Sequence, residues 1–274
     1  MSVRIIIDST TDVSPAYQNR VRVVPLTIRF GDTELIDGVT VSRQRFYEML
    51  VESDELPTTS QASPAAFERE YASAAQAGDS AVVLTISAQL SGTHQSACIA
   101  AQDFENVVVV DSQSATIGAG ILAQYAVDCA ERGMSAAEIA ARLEEKRDDV
   151  CVIALLDTLE YLKRGGRISK TAAIAGGLLN LKPVASIENG RVTVIGKARG
   201  SRQGNNLLMQ KIRDCGGVDF DLPVLLGYTG LSDALLCKYM EDSRAVWEGH
   251  ADALPQVQVG SVIGTHGGPG AVVA

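Results

Sequence analysis

The chain has 274 residues, with 24 Lys plus Arg against 33 Asp plus Glu and a formal net charge of −9 when its 3 His are neutral. Hydrophobic residues make up 46% and charged residues 21%, an ordinary globular balance, and the length fits two domains whose core needs no disulfide or metal staple. The acidic balance argues against nucleic acid as the main partner and against adsorption to an anionic membrane, and no apolar run approaches the ~20 residues of a membrane-inserted span.

Val3–Asp8 (VRIIID) is short and rich in β-branched residues, which predicts a buried strand. Val21–Phe30 predicts a second, with Pro25 marking an edge or a bend. Asp32–Val41, with Gly31 before it and Gly38 inside it, reads as a turn-rich excursion. Ser42 is an N-cap for a helix to about Val51. Ser63 followed by Pro64 opens another helix to about Gln76, which Gly78 stops. Ser80–Ile86 predicts a strand, Gly92–Gln102 a helix, and the four valines Val107–Val110 a strand buried on both faces. Thr116–Arg132 is a helix ended by Gly133, and Ser135 with Glu138 forms a capping-box pattern for the helix Ser135–Lys146. Val150–Leu155 is the last strand of this first half. The alternation predicts a parallel sheet with helices on both faces.

The texture then changes. Lys182–Glu188 and Arg191–Lys197 flank Asn189-Gly190, a strong hairpin signal, so antiparallel pairing enters here. Helix Ser201–Asp214, strand Val224–Tyr228, helix Leu231–Val246 and strand Val257–Ile263 follow. The expected architecture is α/β. An N-terminal parallel-sheet domain spans 1–158, and a smaller mixed α/β C-terminal domain spans 159–274.

The expected strand ends of the first half carry hydroxyls: Asp8-Ser9-Thr10-Thr11, Ser87 to Thr93, and Asp111-Ser112-Gln113-Ser114. Ligands of open α/β sheets sit at such ends. Ser91-Gly92-Thr93 and Pro57-Thr58-Thr59-Ser60-Gln61 are two hydroxyl-rich helix entrances that could together hold one small anion. The plain alternative is N-capping and loop solvation. The chain has no GxGxxG after its first strand, no GxxxxGK[ST] and no G-x-S-x-G, which disfavours dinucleotide, P-loop and nucleophile-elbow chemistry. His266 sits among glycines in the loop Gly264–Gly270, where the backbone can approach a ligand closely, but no orienting carboxylate can be named for a Ser–His pair. His94 and His250 have no metal-binding cluster around them in sequence. The five cysteines (Cys98, Cys129, Cys151, Cys215, Cys237) are scattered and form no C-x-x-C pair, so neither a disulfide framework nor a zinc site is indicated. A reduced cytoplasm fits this usage, and the apolar stretch before Asp8 is too short for a signal peptide. Two segments are basic. Lys163, Arg164, Arg167 and Lys170 form one; Arg191, Lys197, Arg199 and Arg202 form the other. Each is either a solvated face or a docking patch for an acidic partner or phosphate.

Six stretches carry a resemblance: IIIDSTTD ending at Asp12, PTTSQASP at 57–64, SAQLSGT at 87–93, VVDS at 109–112, LEYLKRGGRI at 159–168 and GTHGGPGA at 264–271. With these in this order from end to end, the chain resembles the DegV family, the fatty-acid-binding subunits of bacterial fatty acid kinase. The resemblance implies two α/β domains with a long apolar tunnel and the ligand between them. It implies a carrier, not a stand-alone enzyme, with no cofactor beyond the bound long-chain fatty acid. A separate ATP-dependent kinase subunit phosphorylates that acid, and the acyl phosphate feeds phospholipid synthesis. Carried onto this chain, the carboxylate-binding group comprises Thr59 and Ser60, Ser91, Gly92 and Thr93, and His266 with Gly267. The family's basic loop matches Gly165, Gly166 and Arg167; Arg167, Arg199 and Arg202 are the candidates for kinase contact. The chain stops at Ala274, soon after the G-P-G motif, where members usually continue, so a final strand or its last turn is expected to be missing. Two other readings stay open: a Ser/His hydrolase or acyl transferase built on Ser91 and His266, and an apolar-ligand carrier with no kinase coupling.

Overall fold

The computed structural model describes residues 2–168, 181–220, 222–247 and 249–274, and these form sheets of four, six and three strands. The four-stranded sheet is parallel, in the order β2-β1-β6-β7, from β1 (Val3–Asp8), β2 (Arg22–Val24), β6 (Ser80–Thr85) and β7 (Val107–Asp111). Side chains alternate across it with period two. Ile6, Val24, Ala81 and Val83 face one core, filled by Phe67 and Tyr71 of α2 (Pro64–Gln76) and Ala97 of α3 (Thr93–Ala100). Ile5, Ile7, Val82, Leu84 and Val110 face the other, against Leu122 and Ala126 of α4 (Thr116–Glu131) and Ile139 and Leu143 of α5 (Ala136–Lys146). The expected helices on both faces are therefore present. The valine strand differs from expectation: Val107–Val109 are only half-buried, because β7 is the sheet's edge.

Local chemistry sets the helix starts. Ser42 accepts from the Arg45 backbone N–H at the start of α1 (Arg43–Glu52), and Ser63 does the same for Ala66 ahead of Pro64. Ser135 and Glu138 form the reciprocal capping box of α5.

The single strand expected over Val21–Phe30 is two. Arg22–Val24 pairs with β1, whereas β3 (Thr27–Phe30) joins an antiparallel sheet with β4 (Thr33–Ile36) and β5 (Thr58–Ser60). Pro25, which has no N–H for a ladder, stands at the break. The excursion over Asp32–Val41 thus contains a strand.

The six-stranded sheet runs β10-β9-β8-β13-β11-β12. Its hairpin, β9 (Leu181–Glu188) and β10 (Arg191–Arg199), turns at Asn189 (φ 50°) and Gly190 (φ 75°) as the Asn-Gly signal predicts. β8 (Ile153–Leu155), read above as the end of the first half, hydrogen-bonds in this second sheet. A strand does follow the Gly-Pro-Gly motif: β13 (Val272–Val273) lies between β8 and β11 (Leu226–Tyr228). Packed on this sheet are α6 (Glu160–Arg164), α7 (Gly200–Asp214) and α8 (Ala234–Asp242); the last is shorter than the expected Leu231–Val246 and is followed by a 3-10 turn, Arg244–Val246. The strand expected over Val257–Ile263 is confined to β12 (Gln256–Gln258); Gly260 then caps a short helix, α9 (Ser261–Gly267). His266 therefore lies on a helix and not in a loop.

Candidate functional site

The four- and six-stranded sheets and the small antiparallel sheet meet around a cavity of roughly 970 Å³, including its opening. Its walls are mainly aliphatic: Leu26, Ile86, Leu156, Leu162, Val192 and Val262 are among them, and Val152, Val259 and Val273 continue into a buried apolar cluster. Polar side chains also line it: Thr10, Thr116, Ser186 and Thr229 in its wall, and a group built around His266. Thr59 Oγ1 lies 2.9 Å from His266 Nε2, and Ser60, Gln61, Ser91, Arg167 and Gly267 line the cavity with them. A second cavity shares Thr59, Arg167 and His266 with the first and is also bordered by Asp54, Tyr161 and Arg164. Thr59, Arg167 and His266 thus stand between the apolar cavity and this second one, the vestibule.

Each member is held by a different element. Thr59 is the middle residue of β5, whose partner β3 is covered by α9, so Thr59 and His266 meet across one packed layer. His266 sits close against Gly165: a Cβ there would lie 2.1 Å from the imidazole Nδ1. Burial, and then the charge of Arg167, lowers its pKa to about 4, so the ring is neutral near pH 7. Nδ1 is buried without a hydrogen-bond partner among the described residues. In the tautomer with its proton on Nε2, the ring donates to Thr59 Oγ1 and leaves the Thr59 hydroxyl proton to point at a ligand acceptor. Arg167 lies in the wall, its Nε donating to Leu90 O at 3.2 Å and its Nη1 to Gly165 O at 2.7 Å.

Ser91 hydrogen-bonds Thr93 (Oγ–Oγ1 2.9 Å) and accepts from the Thr93 N–H, so it closes the turn that leads into α3 while also lining the cavity. Thr93 is fully buried, and its hydroxyl accepts from Ala62 N–H; neither it nor Gly92 lines the cavity. Gly92 lies against the Gln61 side-chain amide, which would have to turn aside for a Cβ there. Several other strand-end hydroxyls serve the loops. Ser87 donates to Gly190 O, and Ser112 donates to Ser114 O. Arg199 and Arg202 are exposed and do not line the cavity, and Lys170, the fourth cation of the first basic segment, lies outside the described residues.

Two buried acids brace the cavity wall. Asp8, at the end of β1, accepts from the Ile86 N–H at 2.7 Å and from Thr10, locking β1 to the end of β6. Asp12 accepts from Gly260 N–H (3.0 Å) and Thr116 Oγ1 (2.7 Å) and pairs with Arg43 at 2.8 Å. Arg43 also donates to Gln258 O, so one ion pair, buried on its Asp12 side, ties α1, α4 and the start of α9 together. Desolvation raises the pKa of both acids despite these partners.

The sequence pattern did not single out this bracing, and it read Arg167 as a candidate partner contact, without its place in the cavity wall. The signal for Arg167 was the Gly165-Gly166 pair before it, which lets the loop lie against His266. His94 is also better connected than its sequence context indicates, between Thr85 Oγ1 (2.9 Å) and Cys98 Sγ (3.5 Å), while His250 stacks on Phe220. Among the described residues, no group of three or more His, Cys, Asp or Glu could hold a metal, and no helix is long and apolar enough to cross a membrane.

Comparison with known proteins matches this arrangement to one family. A family model described as "Uncharacterised protein, DegV family" covers residues 2–274. A DegV domain-containing protein of Deinococcus radiodurans is 34% identical, over 99% of this chain and 97% of its own. A Thermus thermophilus structure described as "Fatty Acid Binding of a DegV family Protein" superposes with a TM-score of 0.86 at 33% identity, covering 100% of this chain and 98% of that one. A fatty acid binding DegV family protein from Streptococcus agalactiae gives 0.87 at 26% identity, covering 100% and 97%. The six motifs, the paired sheets and the apolar cavity with its hydroxyl–imidazole group thus converge: the chain belongs to the DegV family.

Proposed function

We propose that this protein binds a long-chain fatty acid in the apolar cavity and presents its carboxylate to a separate ATP-dependent kinase subunit, which forms the acyl phosphate for phospholipid synthesis. The observation that carries the reading is the placement of the Thr59–His266 pair between an aliphatic cavity and the vestibule. Burying a 16-carbon chain yields about 12 kcal/mol gross at ~0.8 kcal/mol per CH₂, enough to leave micromolar to nanomolar binding after losses of freedom. The head group then needs only to be oriented. Thr59, Ser60, Ser91 and Gly267 with neutral His266 supply that, and Arg167 places one positive charge where the carboxylate becomes a more negative phosphate. Gly92 and Thr93 contribute by shaping the Ser91 turn. The exposed Arg199 and Arg202, together with Arg167 at the vestibule, are the proposed kinase contacts.

In this reading the chain is a cytoplasmic carrier and catalyses no step itself. A Ser/His hydrolase would pair Ser91 with His266; in this structure Ser91 bonds Thr93 and His266 bonds Thr59. Mass spectrometry of the purified protein under native and then denaturing conditions tests the ligand: a mass difference matching a fatty acid supports the reading, and its absence after incubation with fatty acid refutes it. Ser91→Ala should weaken fatty acid phosphorylation by a cognate kinase. Unchanged turnover would remove Ser91 from the head-group site.

A further inference from the structure

Cys151 and Cys215 lie 64 positions apart in sequence, yet their sulfurs are 2.8 Å apart in the fold. Cys151 precedes β8, and Cys215 is the C-cap of α7; both residues are exposed. No cysteine spacing in the sequence pointed to this pair. We propose that Cys151 and Cys215 form a reversible thiol–disulfide site, oxidised by small-molecule disulfides of the glutathione class.

The geometry is close to that of a bond. Two sulfurs at 2.8 Å need to approach by less than 1 Å to reach the ~2.05 Å of a disulfide. The backbone can supply that movement, since Cys215 is followed by Gly216 (φ 103°) and Gly217 (φ 90°), and Cys151 stands outside the ladder of β8. The sulfurs are also accessible, because both residues border an open cavity on the side of β8 away from the lipid cavity. One thiolate of the pair attacks one sulfur of the small disulfide and releases one thiolate. The other cysteine then loses its proton and attacks the protein sulfur of the mixed disulfide, releasing the second. The protein loses two hydrogens and the small disulfide becomes two thiols, so atoms and electrons balance.

The site adjoins the lipid cavity. Val152, next to Cys151, lines that cavity, as does Ala154 of β8, while Cys151 and Ile153 border the cavity on the other side. The disulfide would close the segment from β8 through α7, which includes the hairpin and the Arg167 loop, into a covalent ring. Such cytosolic disulfides are characteristically transient and regulatory.

The test incubates the full-length protein with oxidised glutathione and maps its peptides without reduction. The expected product is a monomer lighter by two hydrogens, with Cys151 and Cys215 in one linked peptide pair, reversed by dithiothreitol. Cys151→Ser and Cys215→Ser should each prevent the intramolecular link, leaving the remaining thiol of the pair free or carrying one glutathione. The proposal is overturned if both thiols remain open to alkylation after oxidation, if the link joins other cysteines, or if it joins two molecules. Mapping the wild-type protein decides this even where a variant folds poorly.

Discussion

Replacing Thr59 with Val removes one hydroxyl from the polar group and keeps a β-branched side chain of similar shape in β5. In the ligand-free protein His266 Nε2 loses its 2.9 Å partner. An unsatisfied buried polar atom costs about 1–3 kcal/mol, and because Thr59 is half-buried beside the vestibule the lower end applies. On the proposed function the larger consequence falls on the ligand. A hydrogen bond to a carboxylate contributes about 1.5–3 kcal/mol, and at the solvated end of that range its loss weakens fatty acid binding roughly tenfold. The methyl ester of the same acid has no carboxylate charge and fills the same apolar cavity, so its affinity should change by less than about twofold. Competition against a fluorescent fatty acid, run with acid and ester on wild type and Thr59→Val, separates the two effects. Equal losses for acid and ester would mean that the substitution disturbs the cavity as a whole. No loss for either would mean that the carboxylate binds elsewhere. Each result refutes the assignment of Thr59 to the head group.

His266 gives a pH prediction. Its folded pKa of about 4 lies below the ordinary 6.5, so the unfolded chain takes up the proton first. The associated stability is complete above pH 6.5 and is lost as pH falls towards 4. Between pH 7.5 and 4.5 wild type should lose roughly 2–3 kcal/mol more than His266→Gln, measured by urea midpoints at each pH. Gly120→Ala places a Cβ 1.8 Å from the Asp12 carbonyl oxygen, a backbone atom that cannot swing away. Alanine ordinarily favours a helix by ~1 kcal/mol, yet here about 3 kcal/mol of stability should be lost, visible as a lower melting temperature. Arg43→Met leaves the fully buried Asp12 without its cation. It should cost about 3 kcal/mol, reduced from the fully buried case because Arg43 is one-third exposed, and Asp12→Asn in the same chain should restore part of the loss.

How much of this could be read from the sequence depends on the range of the interaction. Caps at Ser42, Ser63 and Ser135, the Asn189-Gly190 turn and the strands β1, β6 and β7 are local patterns, and each sits where the pattern puts it. Strand partners are not local. A three-residue apolar run such as Ile153–Leu155 carries no mark of the sheet it will join, and Val21–Phe30 hides a change of sheet at one proline. The site shows the same division. The hydroxyls of 57–61 and 87–93 were visible as helix entrances, but the Thr59–His266 contact spans 207 positions and that of Arg43 with Gln258 spans 215. Helix α9 was misread because Val257–Ile263 is rich in β-branched residues; its helical part packs on α1 and α6, and that tertiary burial overrides propensity. The Cys151–Cys215 pair joins a strand start to a helix end and could not be found from spacing at all.

On the proposed reading the cavity separates affinity from chemistry. The aliphatic walls supply about 12 kcal/mol gross for a 16-carbon chain, against about 1.5 kcal/mol for one hydroxyl at the head. A head group held by several guanidinium groups would add affinity that the protein does not need. It would also bind the acyl phosphate, with its extra charge, more tightly than the carboxylate and so oppose release. Hydroxyls and a neutral imidazole discriminate less between the two anions. The depressed pKa of His266 matters here because it keeps a second positive charge away from Arg167 at the same mouth. Substitutions at Thr59, Ser91 and His266 should therefore change phosphorylation more than retention of lipid, and substitutions in the aliphatic wall should do the reverse.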